Sequence, residues 1–135
     1  EPEMGLHPQA IESVILQVLD LLSRNYKIII STHSPVLLEF AWAFNLLKNS
    51  YDNNDALFEL FGLKKSASSK RLFKDLLNIK TINTFYFSRE NDEVIVKDIT
   101  SLDAGSEDVA ISGWGGLSYF SGKVTDIISN IINEE

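Results

Sequence analysis

The stretch Lys27-Ile28-Ile29-Ile30-Ser31 constrains this chain more than any other. It is short, β-branched and continuously apolar, the composition of a strand covered on both faces in a parallel sheet rather than of one that faces water. Helical periodicity flanks it on both sides. Upstream, Ile11, Val14, Ile15, Val18, Leu19 and Leu22 form one apolar stripe that follows Pro8 and runs out at Ser23-Arg24-Asn25. Downstream, Ser34-Pro35 offers an N-cap and a proline at the first helical position, and Leu37, Phe40, Ala41, Phe44 and Leu47 mark a second buried face. The order helix, strand, helix predicts an α/β fold, here part of a three-layer sandwich with a mostly parallel sheet.

The rest of the chain changes character. After a polar loop at Asn49–Asp55, Leu57–Phe61 is a short apolar piece of ambiguous type. Ser69 is placed to cap a helix with apolar positions Leu72, Phe73, Leu76 and Leu77. Thr84–Ser88 and Glu93–Ile99 read as an antiparallel hairpin joined by the four residues Arg89–Asp92. The polar run Thr100–Ser112 and the turn Gly113-Trp114-Gly115-Gly116 lead to a closing helix with Phe120, Val124, Ile127, Ile128 and Ile131 on one face. That stripe is expected in the core, with a partner surface as the lesser alternative. The expected organisation is a domain part over residues 1–99, with a helical insertion at about 49–80, and a linker and C-terminal helix of the same domain over 100–135. Because the chain opens on Glu1, the strand that should precede it is expected to lie outside this sequence, in the rest of the protein or in another chain.

Composition narrows the functional classes. At 135 residues with 44% hydrophobic content the chain can build a core, and disorder is not the default. A net charge of −7 makes it a poor nucleic-acid binder by itself, and the cluster Lys64, Lys65, Lys70 and Arg71 reads as a solvated loop and helix start. With no cysteine there is no disulfide framework, thiolate zinc site or thiol nucleophile. No apolar run reaches the roughly 20 residues that span a bilayer, and the simplest placement is cytoplasmic.

The chemistry concentrates in two segments that hold both histidines, EPEMGLHPQ at Glu1–Gln9 and IIISTHSP at Ile28–Pro35. A right-handed crossover brings the carboxyl ends of neighbouring parallel strands to one sheet edge, where ligands of open α/β sheets bind. Glu1 and His33 would then address one small group: a carboxylate can orient or deprotonate water, and an imidazole can donate to a phosphoryl oxygen. Hydrolysis of a phosphoanhydride fits that pair. A metal site from His7, His33, Glu1 and Glu3 lacks ligand spacing, and a serine hydrolase on Ser31 or Ser34 lacks the G-x-S-x-G elbow. For His7, an interface role and a role in starting the Pro8 helix fit equally.

These residues resemble a known family. EPEMGLHPQ is similar to the segment after the Walker B strand of ABC-type ATPases, especially the branch of the overcoming-lysogenization-defect (OLD) nucleases and AAA-annotated ATPases, and STHSP resembles that branch's switch-histidine motif. The resemblance implies the C-terminal half of a P-loop NTPase. It implies that Glu1 polarises the attacking water, that His33 contacts the γ-phosphate, and that Met4, Gly5, Leu6 and His7 form the D-loop facing a second subunit; Glu3 receives no role. It further implies ATP and Mg²⁺ as ligands of the complete protein, a homodimer closed on ATP, and control of a nuclease or other effector, with nucleic-acid transactions or phage defence as the setting.

Two groups that such a site needs are missing from the sequence. No G-x-x-x-x-G-K-[ST] loop occurs, since Gly122-Lys123 is followed by Val124 and position 117 is leucine, and no aspartate precedes Glu1. The isolated chain is therefore expected neither to hold ATP tightly nor to hydrolyse it. The competing class is a non-catalytic interaction module on the same scaffold.

Overall fold

The computed structural model describes residues 1–2, 4–48 and 55–133, and the side chains of residues 8, 79 and 131–133 are outside that description. Most of the loop predicted at 49–55, the role-less Glu3 and the place of Ile131 on its stripe thus lie outside the described residues. The chain forms two compact units, Glu1–Ile82 and Asn83–Glu135.

The first unit is helical: α1 (Pro8–Ser23), α2 (Pro35–Lys48), α3 (Ala56–Leu60) and α4 (Ala67–Ile79). Both proline-led starts lie where the sequence puts them. The chain leaves α1 through a Schellman turn, in which the Tyr26 N–H donates to Leu21 O and the Asn25 N–H to Leu22 O, both at 3.1 Å. Asn25 takes φ +64°, a left-handed conformation that Asn tolerates better than most residues. Ile11, Ile15 and Leu19 of α1, Phe40 and Phe44 of α2, Leu57 and Phe58 of α3, and Phe73, Leu76 and Leu77 of α4 close one core. Each such side chain contributes about 1.5–3 kcal/mol by leaving water. Phe58 meets Phe73 edge-on, with ring centroids 4.8 Å apart, the arrangement favoured by the ring quadrupoles. The ambiguous Leu57–Phe61 piece is thus a helical turn that seals the core. Trp42 lies on the exposed side of α2.

Residues 80–82 are pinned along α2 by side chains. Asn45 Nδ2 donates to Ile82 O at 2.8 Å, and Lys48 Nζ donates to Lys80 O at 3.0 Å and to Thr81 Oγ1 at 2.7 Å. Helix α4 begins one turn earlier than Ser69. Ser66 has the extended φ/ψ of an N-cap, and its Oγ accepts from the Ser69 N–H. A run of serines offers several caps, and the structure uses Ser66.

The second unit holds β1 (Phe85–Glu90) and β2 (Glu93–Asp98), then α5 (Val109–Ser112), a 3-10 turn at Trp114–Gly116, and α6 (Tyr119–Asn133). The strands pair antiparallel from Phe85 with Asp98 to Glu90 with Glu93. The loop is two residues rather than four: Asn91 and Asp92 take φ of +48° and +67°, and positive φ at both central positions matches the twist of the flanking strands. Buried Ile99 and Leu102 anchor the exit from the hairpin. The Trp114 indole N–H donates to Leu102 O at 2.9 Å. Gly115, at φ +65°, lies under the Tyr86 ring so closely that a Cβ there would stand 2.6 Å from Tyr86 Cδ2.

Two further expectations differ from what is observed. The sheet among the described residues is this two-stranded antiparallel hairpin, and a mostly parallel sheet is not seen. Lys27–Ser31, expected as its central strand, joins no ladder, and Ile29 is fully exposed. A strand exists only as a hydrogen-bonded neighbour of another, and no partner for this one lies among the described residues. The stripe of α6 is also not core: Phe120, Val124, Ile127 and Ile128 are all exposed. Helical periodicity predicts that a face is apolar, not what covers it.

Candidate functional site

The two ends of the Glu1–Pro35 region converge. His33 Nδ1 and Glu1 Oε1 are 2.6 Å apart, joining residues that are 32 positions apart in sequence. Helix α1 makes this possible by carrying the chain away and its Schellman turn by bringing it back, so that residues 1 and 33 lie at the same end of the helix. The imidazole is 79% exposed and the Glu1 side chain 33% exposed.

This geometry fixes which nitrogen is available. An ionised carboxylate only accepts, so the short contact requires the hydrogen on Nδ1. Nε2 is then the outward-facing position, an acceptor in the neutral ring and a donor in the imidazolium. Glu1 in turn keeps acceptor capacity beyond the one bond, because a carboxylate offers about four lone-pair sites. One ring nitrogen and one carboxylate can therefore face a small polar ligand while each holds the other in place.

The remaining predicted residues separate into two groups. Met4 and Leu6 are exposed, and Gly5 takes φ +77° in a turn where the Met4 N–H donates to Glu1 O at 3.3 Å. They form an exposed loop beside Glu1. His7 acts locally, as the N-cap of α1, and its Nδ1 accepts from the Gln9 N–H at 3.3 Å. Pro8 in the first turn is the sequence signal that favours this capping role.

After His33 the chain turns directly into α2. The Ser34 N–H donates to Thr32 Oγ1 at 2.9 Å, and Ser34 is buried. The histidine thus stands on a short loop fixed at its far side by a helix start. No three His, Cys, Asp or Glu side chains among the described residues are placed to hold a metal ion.

Sequence reasoning missed a second polar contact, in the Asn83–Glu135 unit. Lys97 Nζ and Asp108 Oδ2 are 2.5 Å apart, and Asp108 also accepts from the Ala110 N–H at 3.0 Å as the N-cap of α5. The Lys97 hydrogen bond, followed by the one from Ala110, holds the Asp108 carboxyl below its ordinary range. An S-x-D pattern at Ser106–Asp108 could have suggested the cap, but nothing in the sequence couples it to Lys97.

Comparison with known proteins bears on the same region. Residues 1–39 match a family described as "AAA domain, putative AbiEii toxin, Type IV TA system". The chain is 40% identical over 57 residues to the Old nuclease of Escherichia phage P2, a match that covers 42% of this chain and 10% of that protein. The chain thus corresponds to about a tenth of that relative's length. No solved structure matches. No helix among the described residues is long and apolar enough to cross a membrane. Over these stretches the chain is similar to an AAA domain family and to an OLD-type protein.

Proposed function

We propose that this chain supplies the hydrolysis-sensing part of an ATP site in an ABC-type ATPase of the OLD-like branch. The observation that carries this reading is that the match over residues 1–39 spans both motif segments, and the contact between Glu1 and His33 joins the same two segments. Glu1 orients and deprotonates the attacking water. His33, held through Nδ1, donates from Nε2–H to the terminal phosphoryl group in its imidazolium form, since the neutral ring would present an acceptor there. The loop Met4, Gly5, Leu6, with His7 at its end, faces a second subunit across the nucleotide. ATP with Mg²⁺, the phosphate-gripping loop and the metal-binding carboxylate belong to the complete protein. The effector is of the nucleic-acid-cleaving class, the activity that the relative's name carries.

The test is Glu1→Gln in the polypeptide that joins this segment to a phosphate-binding loop. Glutamine still accepts from His33 Nδ1–H but cannot take a proton from water. Turnover is expected to fall by about 10²–10⁴-fold while bound ATP persists. Unchanged turnover removes Glu1 from the mechanism, whereas a parent polypeptide with no turnover at all leaves a non-catalytic interaction module as the reading.

A further inference from the structure

His33 meets Glu1 from a loop rather than from a regular element, and its ring is largely in water. Packing therefore does little to aim it. Ladder hydrogen bonds do not hold it from behind either, because Lys27–Ser31 joins no sheet among the described residues. Two contacts flank the residue instead. On the ring side, Nδ1 lies 2.6 Å from Glu1 Oε1. On the backbone side, Thr32 Oγ1 accepts from the Ser34 N–H at 2.9 Å.

The second contact closes a small ring of atoms across His33. It ties the residue before the histidine to the residue after it, so the Thr32 side chain sets the direction in which the His33 Cα–Cβ bond leaves the chain. Burial makes this anchor firm: Thr32 is half-buried and Ser34 buried, while His33 between them is exposed. Pro35 follows as the first residue of α2 and has no N–H to compete for the hydroxyl. A partly buried N–H deprived of its acceptor is costly, which keeps the bond made.

We infer that Thr32 is the positioning residue of the candidate site: its hydroxyl fixes the backbone on which His33 stands, and through it the contact of Nδ1 with Glu1. Thr32 acts only through His33 and carries no chemical step itself. The consequence for turnover rests on the ATP-site reading above, whereas the consequence for the ring does not.

The two histidines provide the readout. In the neutral rings the hydrogen lies on Nδ1 of His33, which faces a carboxylate, and on Nε2 of His7, whose Nδ1 accepts from the Gln9 N–H at 3.3 Å. Imidazole nitrogen chemical shifts of the 135-residue chain in alkaline buffer separate these tautomers. Thr32→Val keeps the shape and deletes the acceptor; it should abolish the Nδ1–H excess at His33 and leave His7 unchanged. Thr32→Ser keeps the hydroxyl and should restore the excess. A Val variant with the wild-type tautomer at His33 would overturn the inference, since Thr32 would then serve only the start of α2, and so would a Ser variant that behaves like Val. Hydrogen exchange at the Ser34 amide of the unsubstituted chain covers a Val variant that fails to fold: slowed exchange supports the anchor, and exchange at the rate of an open chain refutes it. In the polypeptide that carries a phosphate-binding loop, Thr32→Val should lower kcat by about 10²-fold with ATP binding retained, and Thr32→Ser should recover it. Turnover that is present in the parent and untouched by Thr32→Val overturns the positioning role. A parent without turnover whose His33 tautomer still depends on Thr32 keeps that role and sinks the ATP-site reading instead.

Discussion

The two units use similar apolar patterns to opposite effect. In Glu1–Ile82, four helices turn their stripes on one another, and Phe44 and Leu57 lose all contact with water. In Asn83–Glu135, the hairpin and α6 are as rich in Phe, Val and Ile, yet Phe85, Phe87, Val94, Val96 and most of the α6 stripe remain exposed. The difference lies in what is available to pack against. Three amphipathic helices and a helical turn can satisfy each other, whereas one face of a two-stranded sheet has nothing opposite it in its own unit.

That contrast can be broken at several points. The largest effect is expected at Phe44→Ala, which empties a fully buried site beside Phe40, with ring centroids 5.8 Å apart, and should cost about 3–5 kcal/mol in chemical denaturation. The matching change Phe87→Ala on the open hairpin face should stay within about 0.5 kcal/mol. Equal losses at the two sites would mean that the hairpin face is covered in solution. Next comes Gly115→Ala, which places a methyl group against the Tyr86 ring and an L-residue at positive φ. A loss of about 1–2 kcal/mol is expected from the backbone alone. A neutral result would show that the ring moves aside freely and that this unit is loosely packed.

The smallest effect concerns acid. The Asp108 carboxyl is held below its ordinary range by Lys97 and by the α5 cap. A depressed folded-state value gives stability that is present above the unfolded value and lost as pH falls through the lower, folded one. Asp108→Asn should therefore flatten the decline of thermal stability on the acid side of the carboxylate range and leave it little changed well below that range. An unaltered pH profile would detach the Lys97 contact from the stability of this unit.

What could be read from the sequence follows the range of the interactions. Helices α1 and α2 were legible because periodicity, Pro8, Pro35 and Asn25 are local signals. The start of α4 is not legible from the sequence, because Ser66 and Ser69 are chemically equal caps and the structure uses the earlier one. The hairpin is legible in the sequence but its loop is shorter than the charge pattern suggests, since Arg89 and Glu90 continue the ladder despite their charge. Lys27–Ser31 has the composition of a central strand and no partner among the described residues, because pairing is a property of two segments and the sequence displays one. At the candidate site the motifs named Glu1 and His33 before any geometry, and the structure places them in contact. Which nitrogen of His33 faces outward required the coordinates, as did the contact from Lys97 to Asp108.

The positions of the two tryptophans have a practical consequence. Trp42 stands on α2 in the first unit, partly in water, and Trp114 is tied through its indole nitrogen to the Leu102 carbonyl in the second. Each unit thus contains its own intrinsic fluorophore, in a chain with two tryptophans in all. Replacing either with phenylalanine leaves an emission signal from the other unit alone. Whether the closed and the open halves melt together or in sequence then becomes a matter of comparing two colours of the same light.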